Sequence, residues 1–344
     1  MKISLLLIFL SSLLCFGQFK RSLSTRKLYD QALETYEKGN TAEALTLFEQ
    51  CAVEDPTFTE AHINISFIQF ENKKYDLALS SAKTAATYNK FQSVIYFQIG
   101  KCFYHLEQFD SSSFYFKKGL GLGSGSELDY IYLGKSLLAQ GANREALNYY
   151  SKAIELNSKN PISYNERGSA YYHLGEYELA EADFKQSLEL NPNSAGVYSN
   201  LANVALAMED NELAISYINE GILQATADEK IQLLILKGNY YKNTGDFDNA
   251  AVAYNQAYEL DSENAVILNN QASILIELED FEGAFAKCNL ALELQPEMME
   301  AYFNRGIVNE MLRHVEEACI DWEQAFILGS EKAEEFLNSP ICNE

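Results

Sequence analysis

The feature that most constrains this chain is a 34-residue period in its small side chains. One column holds Ala32, Ser66, Gly100, Gly134, Gly168, Ala202, Gly238, Ala272 and Gly306. A second holds Ala44, Ala78, Ser112, Ala146, Ala180, Ala214, Ala250, Ala284 and Ala318. A third holds Cys51, Ala85, Gly119, Ala153, Ser187, Gly221, Ala257, Ala291 and Ala325. One step measures 36 instead of 34, which places a two-residue insertion near Glu229 and Lys230. A fixed period of this size implies stacked copies of one supersecondary unit. Nine units are expected over 25–330, starting at Thr25, Thr59, Ser93, Glu127, Pro161, Ala195, Ile231, Ala265 and Met299.

Within a unit the spacing is helical. In the fifth, Tyr164, Gly168 and Tyr171 precede a break at Gly175, and Tyr177, Ala180, Phe184 and Leu188 follow it. Steps of three and four place each set on one helix face. Small side chains let two helices approach to about 8 Å. Gly39, Gly141, Gly175 and Gly245 stand at the break, where a helix C-terminus favours positive φ. Pro56, Pro192 and Pro296 close units, since proline cannot continue a helix. Only five prolines occur, and 47% of residues are hydrophobic, enough for a buried helical core. The expected fold is all-α: tandem helix–turn–helix units in a right-handed superhelical solenoid.

Position 4 of the unit is mostly large, position 24 mostly aromatic, and positions 8, 20 and 27 small. This pattern resembles the tetratricopeptide repeat family across about 25–330. Units five, seven and nine fit it well. Unit two departs from it at His62, Gln69 and Ala82 and carries Lys73 for the turn glycine, and units three and four lack the final proline. The ending Asp321–Gly329, followed by a short helix and a cysteine near the terminus, resembles secreted bacterial members of the family. Residues 331–344 are expected to cap the last unit, as terminal repeats need a soluble outer face. The glycines at 119, 121, 123 and 125 suggest a frayed helix end and a looser joint.

The resemblance implies that positions 2, 5, 9, 12 and 13 face a concave groove. Carried over, these give Tyr29, Tyr36, Ile63, Phe67, Phe70, Phe97, Lys101, Tyr104, Ile131 and Lys135 in the N-terminal part. The later part gives Asn165, Ser169, Tyr172, Asn203, Asn239, Asn269 and Ser273. The groove should therefore pass from aromatic to amide-rich. Aromatics supply contact area at low entropic cost, and amides can bond an extended peptide backbone. No unit has Lys at position 5, which argues against the family's mode of clamping a C-terminal carboxylate.

The implied function is a non-catalytic scaffold that binds a peptide or protein segment. The alternatives are an accessory subunit of an envelope enzyme or assembly complex, and a carbohydrate- or cell-wall-binding module. No catalytic or metal constellation is found in the sequence, and no cofactor is expected. His105 and His173 occupy equivalent places two units apart, too far for one ion. The net charge of −23, with no basic stripe, disfavours nucleic acid as a partner.

The N-terminus reads as an export signal: Lys2, an apolar run from Ile3 to Leu14, and small residues before a cut after Gly17. Residues 18–24 would be a short linker. The mature chain would be periplasmic or secreted, without a transmembrane segment. Leu14 stands where a lipoprotein signal has a small residue, which weighs against lipid anchoring at Cys15. In an oxidising compartment, Cys319 in the last unit and Cys342 in the tail are candidates for a disulfide.

Overall fold

A computed structural model describes residues 21–343. They fall into two compact units, divided between Asp183 and Phe184. Among the described residues the regular structure is twenty helices and no strand. Unit 1 runs through α1 (Leu23–Glu37), α2 (Thr41–Glu54), α3 (Thr59–Glu71), α4 (Tyr75–Tyr88), α5 (Ser93–His105), α6 (Phe109–Leu120), α7 (Glu127–Ala139), α8 (Asn143–Leu156) and α9 (Pro161–His173) into α10 (Tyr177–Leu190). Unit 2 continues with α11 (Ala195–Ala207), α12 (Asn211–Gln224), α13 (Ala227–Asn243), α14 (Phe247–Leu260), α15 (Ala265–Glu277), α16 (Phe281–Leu294), α17 (Met299–Met311) and α18 (Val315–Ile327). It ends in α19 (Glu331–Leu337) and α20 (Pro340–Asn343).

The small columns are the contact line between the two helices of each hairpin. A Cβ added to Gly134 would stand 2.5 Å from the Tyr150 ring, and one added to Gly100 would stand 2.8 Å from Phe116. Gly238 against Tyr254 and Gly306 against Trp322 repeat the arrangement. In each pair the glycine is at position 8 and the ring at position 24. The rings are fully buried, as are Ala44, Ala78, Ala146, Ala250 and Ala318 of the second column. The absence of a side chain on one helix makes room for the ring of the next.

Every hairpin turn closes through a left-handed residue at position 15. Gly39, Gly141, Gly175 and Gly245 take this conformation at φ between 74° and 86°. Lys73, Glu107, Glu209, Glu279 and Arg313 take it too, at φ between 57° and 69°. The turn bonds are the same in both groups: Asn40 N–H donates to Thr35 O at 3.1 Å, and Lys74 N–H to Gln69 O at 2.9 Å. Lys73 therefore marks no irregularity in unit two's hairpin. The non-glycine turns carry a strain of about 1 kcal/mol each, which the packed hairpin over-determines.

Several boundaries differ from the sequence reading. Helix α1 starts at Leu23, with Ser22 accepting from the Thr25 N–H. Helix α13 starts at Ala227, four residues before Ile231, with a Thr226–Glu229 capping box. The two-residue insertion thus lengthens a helix instead of a loop. Within the segment read as a linker, the Arg21 guanidinium lies 4.1 Å from the Phe58 ring centre and pairs with Asp55 and Glu60. Gly119 is no frayed end: it is buried inside α6, and a Cβ there would stand 2.5 Å from the Phe97 ring. After the glycines, Ser126 and Asp129 restart α7 with a reciprocal capping box. The signal at 1–17, including Cys15, lies outside the described residues.

At the C-terminal end Phe336 of α19 packs on Trp322 and Phe303, at 4.7 and 5.3 Å between ring centres. Ala333 is fully buried in the same cluster. Cys319 and Cys342 form a disulfide with Cα atoms 5.6 Å apart. Cys51, Cys102 and Cys288 are free and buried, and burial pushes the Cys51 thiol up to about 11.

Candidate functional site

In unit 1 the first helices of units three, four and five (α5, α7 and α9) bring together the most varied set of side chains. Successive helices are joined by ion pairs. Lys101 Nζ lies 2.7 Å from Asp129 Oδ1, and Lys135 Nζ lies 2.8 Å from Glu166 Oε1. Burial alone would lower the Lys135 ammonium, but the Glu166 carboxylate reverses this and holds it above its ordinary value. Both lysines are at position 9, predicted to face a partner, and both already hold a carboxylate.

Beside them is a ring cluster. His105 stacks on Tyr75 at 4.6 Å and meets Phe70, Tyr104 and Tyr132 edge-on at 5.1, 5.4 and 5.7 Å. Its Nε2 is 3.1 Å from the Tyr132 hydroxyl. Burial first, and then the Lys135 charge, lower the imidazole below its ordinary value, so it favours the neutral form. Next to the cluster a recess of about 300 Å³ is lined by Tyr104, Lys135, Leu138, Ala139, Glu166 and His173. It joins apolar, aromatic and paired charged groups within a few ångströms, a surface suited to holding a side chain.

The remaining predicted groove residues divide. Ile63, Ile131 and Phe97 are at most 5% exposed and belong to the core, so they offer no groove surface. Phe97 is spent on the Gly119 contact. Phe67 and Phe70 pack partly buried against the core cluster around Ile99. Tyr29 lies between Phe48 and Phe58, and its hydroxyl accepts from Asn64 Nδ2 at 2.8 Å. Tyr36 is half-buried and donates to Glu71 at 3.0 Å. Asn165 and Tyr172 are half-buried on α9, and the Ser169 hydroxyl donates to the Asn165 carbonyl at 3.0 Å.

In unit 2, Asn203 and Ser273 are half-buried. Asn239 accepts from the buried Tyr254 hydroxyl at 2.6 Å. Asn269 is buried and accepts from Asn304 at 2.8 Å. Two of the four amides predicted for the later groove, Asn239 and Asn269, are thus committed to the protein's own hydrogen bonds.

The sequence reading missed two sets of residues. Glu166 is at position 6, outside the predicted groove positions. The second set is a polar seam at position 7. There Arg167 clamps Asp183 through two bonds of 2.7 and 2.8 Å and reaches Ser151 at 3.2 Å. Arg305 clamps Asp321 at 2.9 and 2.6 Å and reaches Asn289 at 2.7 Å. Lys237 and Gln271 reach Asn219 and Asn255 at 2.8 and 2.7 Å. The signal was an Arg and an Asp 16 residues apart in units five and nine. Among the described residues no cluster of three His, Cys, Asp or Glu side chains could hold a metal, and no helix is long and apolar enough to cross a membrane.

A family profile described as Tetratricopeptide repeat matches residues 133–195 and 235–297. The BBSome complex member BBS4 of Bos taurus is 25% identical over 87% of this chain and 57% of its own length. The Mus musculus protein of the same name is 25% identical over 82% of this chain and 69% of its own. The chain thus spans little more than half of the bovine relative. A tetratricopeptide repeat protein from Parabacteroides merdae superposes with a TM-score of 0.57 at 17% identity, over 74% of this chain and 100% of its own. The C-terminal part of a TPR repeat-containing protein from Cytophaga hutchinsonii gives 0.54 at 23% identity, over 70% and 98%. At these identities the two structures speak for the fold alone, and the curated relatives named here are mammalian, so a secreted bacterial origin stays an expectation. The profile places tetratricopeptide repeats at residues 133–195 and 235–297, and the same helical hairpin recurs along the described residues.

Proposed function

We propose that the chain is a non-catalytic interaction scaffold that holds a peptide or protein segment against the first-helix face of α5, α7 and α9. The observation that carries this reading is the recess around Tyr104 and Lys135. Its side chains are held in place by ion pairs and ring contacts, so little conformational freedom is lost on binding. No covalent step is needed: burial of partner surface supplies the affinity. Membership of a larger assembly is a second reading, favoured by the complex named in the mammalian relatives' description. Export through residues 1–17 belongs to the same proposal, and the Cys319–Cys342 disulfide suits an oxidising compartment.

The test is co-purification from the native source with the full chain and with a Tyr104→Ala/Lys135→Met variant of unchanged helicity. A partner retained by the native chain and lost by the variant is the expected result. Equal recovery with both would move the binding surface elsewhere.

A further inference from the structure

We propose that the C-terminal end of unit 2 is a second docking surface, which takes a basic amphipathic helix of a partner against Ile320, Phe326, Ile327 and Ile341. These four side chains are between 40% and 66% exposed. Ile320 and Ile327 are seven residues apart on α18 and share a face. Cys319 and Phe326 share the neighbouring face by the same spacing, and Cys319 is bonded to Cys342. With the two cysteine Cα atoms 5.6 Å apart, the Cα atoms of Ile320 and Ile341 lie within about 13 Å of each other. The disulfide thereby gathers the four into one patch, whereas Val53 and Leu223, exposed at 80% and 79%, are each alone on α2 and α12.

The patch exists because the last repeat is only partly covered. At position 28 an interior repeat turns a side chain to the next first helix: Ile222 packs against the clusters of Leu233 and Leu234 on α13, and Leu292 is 8% exposed. The last repeat has Phe326 at this position, and it is 45% exposed. The helix that follows it, α19, has seven residues where α15 and α17 have 13. A terminal helix need not be apolar outside: α1 carries exposed Lys27, Gln31 and Glu34 where α3 has buried Ala61, Ile65 and Ile68. A helix is the shape that completes the last repeat, since a full first helix lies there in the interior repeats. Its charge follows from the rim. Glu316, Glu317, Glu323, Glu331, Glu334 and Glu335 are exposed on α18 and α19, and Lys332 is the one lysine or arginine in the two helices. A basic helix is drawn to this rim while its apolar stripe covers the isoleucines. A second copy of the chain would bring like charges together.

The probe is a fluorescein-labelled amphipathic helical peptide of leucine and lysine, titrated by anisotropy against the full chain at physiological salt, with a scrambled peptide of the same composition as its control. The native chain should bind the amphipathic peptide about tenfold tighter than the scrambled one, or more. Ile320→Ser/Ile327→Ser should weaken binding about tenfold or more at unchanged helicity and net charge. Glu323→Lys should weaken it about threefold to tenfold, and more at low salt. Val53→Ser/Leu223→Ser, which removes comparable exposed apolar surface elsewhere, should leave it unchanged. Equal binding of the two peptides, or no loss with the isoleucine variant, would overturn the inference, since charge alone would then hold the peptide. A native dimer in sedimentation that the isoleucine variant dissociates, with no peptide bound, would also overturn it and give the surface to a second copy.

Discussion

At repeat position 7, unit 1 has Ile65, Ile99 and Leu133 in successive repeats, and unit 2 has Lys237, Gln271 and Arg305 in its last three. The first three are buried among aliphatic and aromatic neighbours; the other three reach across to an amide of the preceding repeat at 2.7 to 2.8 Å. The backbone is the same in both settings, because the small columns and left-handed turns fix the hairpin before position 7 is chosen. The seam between repeats can be oily or hydrogen-bonded provided that it is complete. The predicted groove positions behave likewise: Lys101 is tied to Asp129, and Lys135, which lines the recess, to Glu166, whereas Asn239 and Asn269 bond within unit 2. Unit 1 has a recess beside Lys135, and in unit 2 Asn239 and Asn269 take part in the protein's own hydrogen bonds.

Exchanging the seams should break this comparison most strongly. Leu133→Gln puts an amide into unit 1's fully buried apolar site with no partner, losing apolar burial and adding a desolvation cost, about 4 kcal/mol together. Urea unfolding should show it as a lower midpoint at unchanged slope. In unit 2, Asp321→Ala strips Arg305 and Asn309 of a buried acceptor and should cost about 3 kcal/mol. Replacing the pair together, Arg305→Met with Asp321→Leu, should restore stability to within about 1 kcal/mol of the native chain. A double variant as unstable as the single one would mean that the polar seam specifies the fold instead of merely filling the gap.

A smaller effect separates packing glycines from incidental ones. Gly134→Ala drives a methyl into the buried Tyr150 ring and should cost about 2 kcal/mol by the same urea measurement. Gly196→Ala, with nothing within 4 Å, should leave stability unchanged or raise it by up to about 1 kcal/mol. The smallest effect concerns His105, whose pKa is lowered on folding from 6.5 by burial and then by Lys135. The unfolded chain binds its proton more readily, so the stability this group contributes is present above about pH 6.5 and is lost as pH falls through the folded value. His105→Gln should flatten that part of the stability profile between about pH 7 and pH 5 relative to the native chain.

The hairpins, the columns and the aromatic at position 24 could be read from the sequence because each rests on local size and a strict period. What escaped depends on which way a side chain turns. Ile63, Phe97 and Ile131 occupy groove positions by number, yet their apolar surface is better buried between helices than left to water. Glu166 could not be seen as part of the site, because its partner Lys135 lies in the preceding repeat and the combination of residue types at these two positions is not repeated: from position 6 of the last repeat the contact is between two amides, Asn304 and Asn269. Thr226 and Glu229 hid the start of α13, since a capping box four residues upstream overrides the repeat boundary.

Hydrogen exchange of the full chain, with and without a saturating peptide selected from a random library for binding to it, tests most directly whether a partner is held on the α5–α7–α9 face of unit 1. The account predicts slowed amide exchange concentrated in α5, α7 and α9, with α11, α13 and α15 unchanged. Protection confined to the unit 2 helices, with Tyr104, Lys135 and their neighbours exchanging as before, would contradict it.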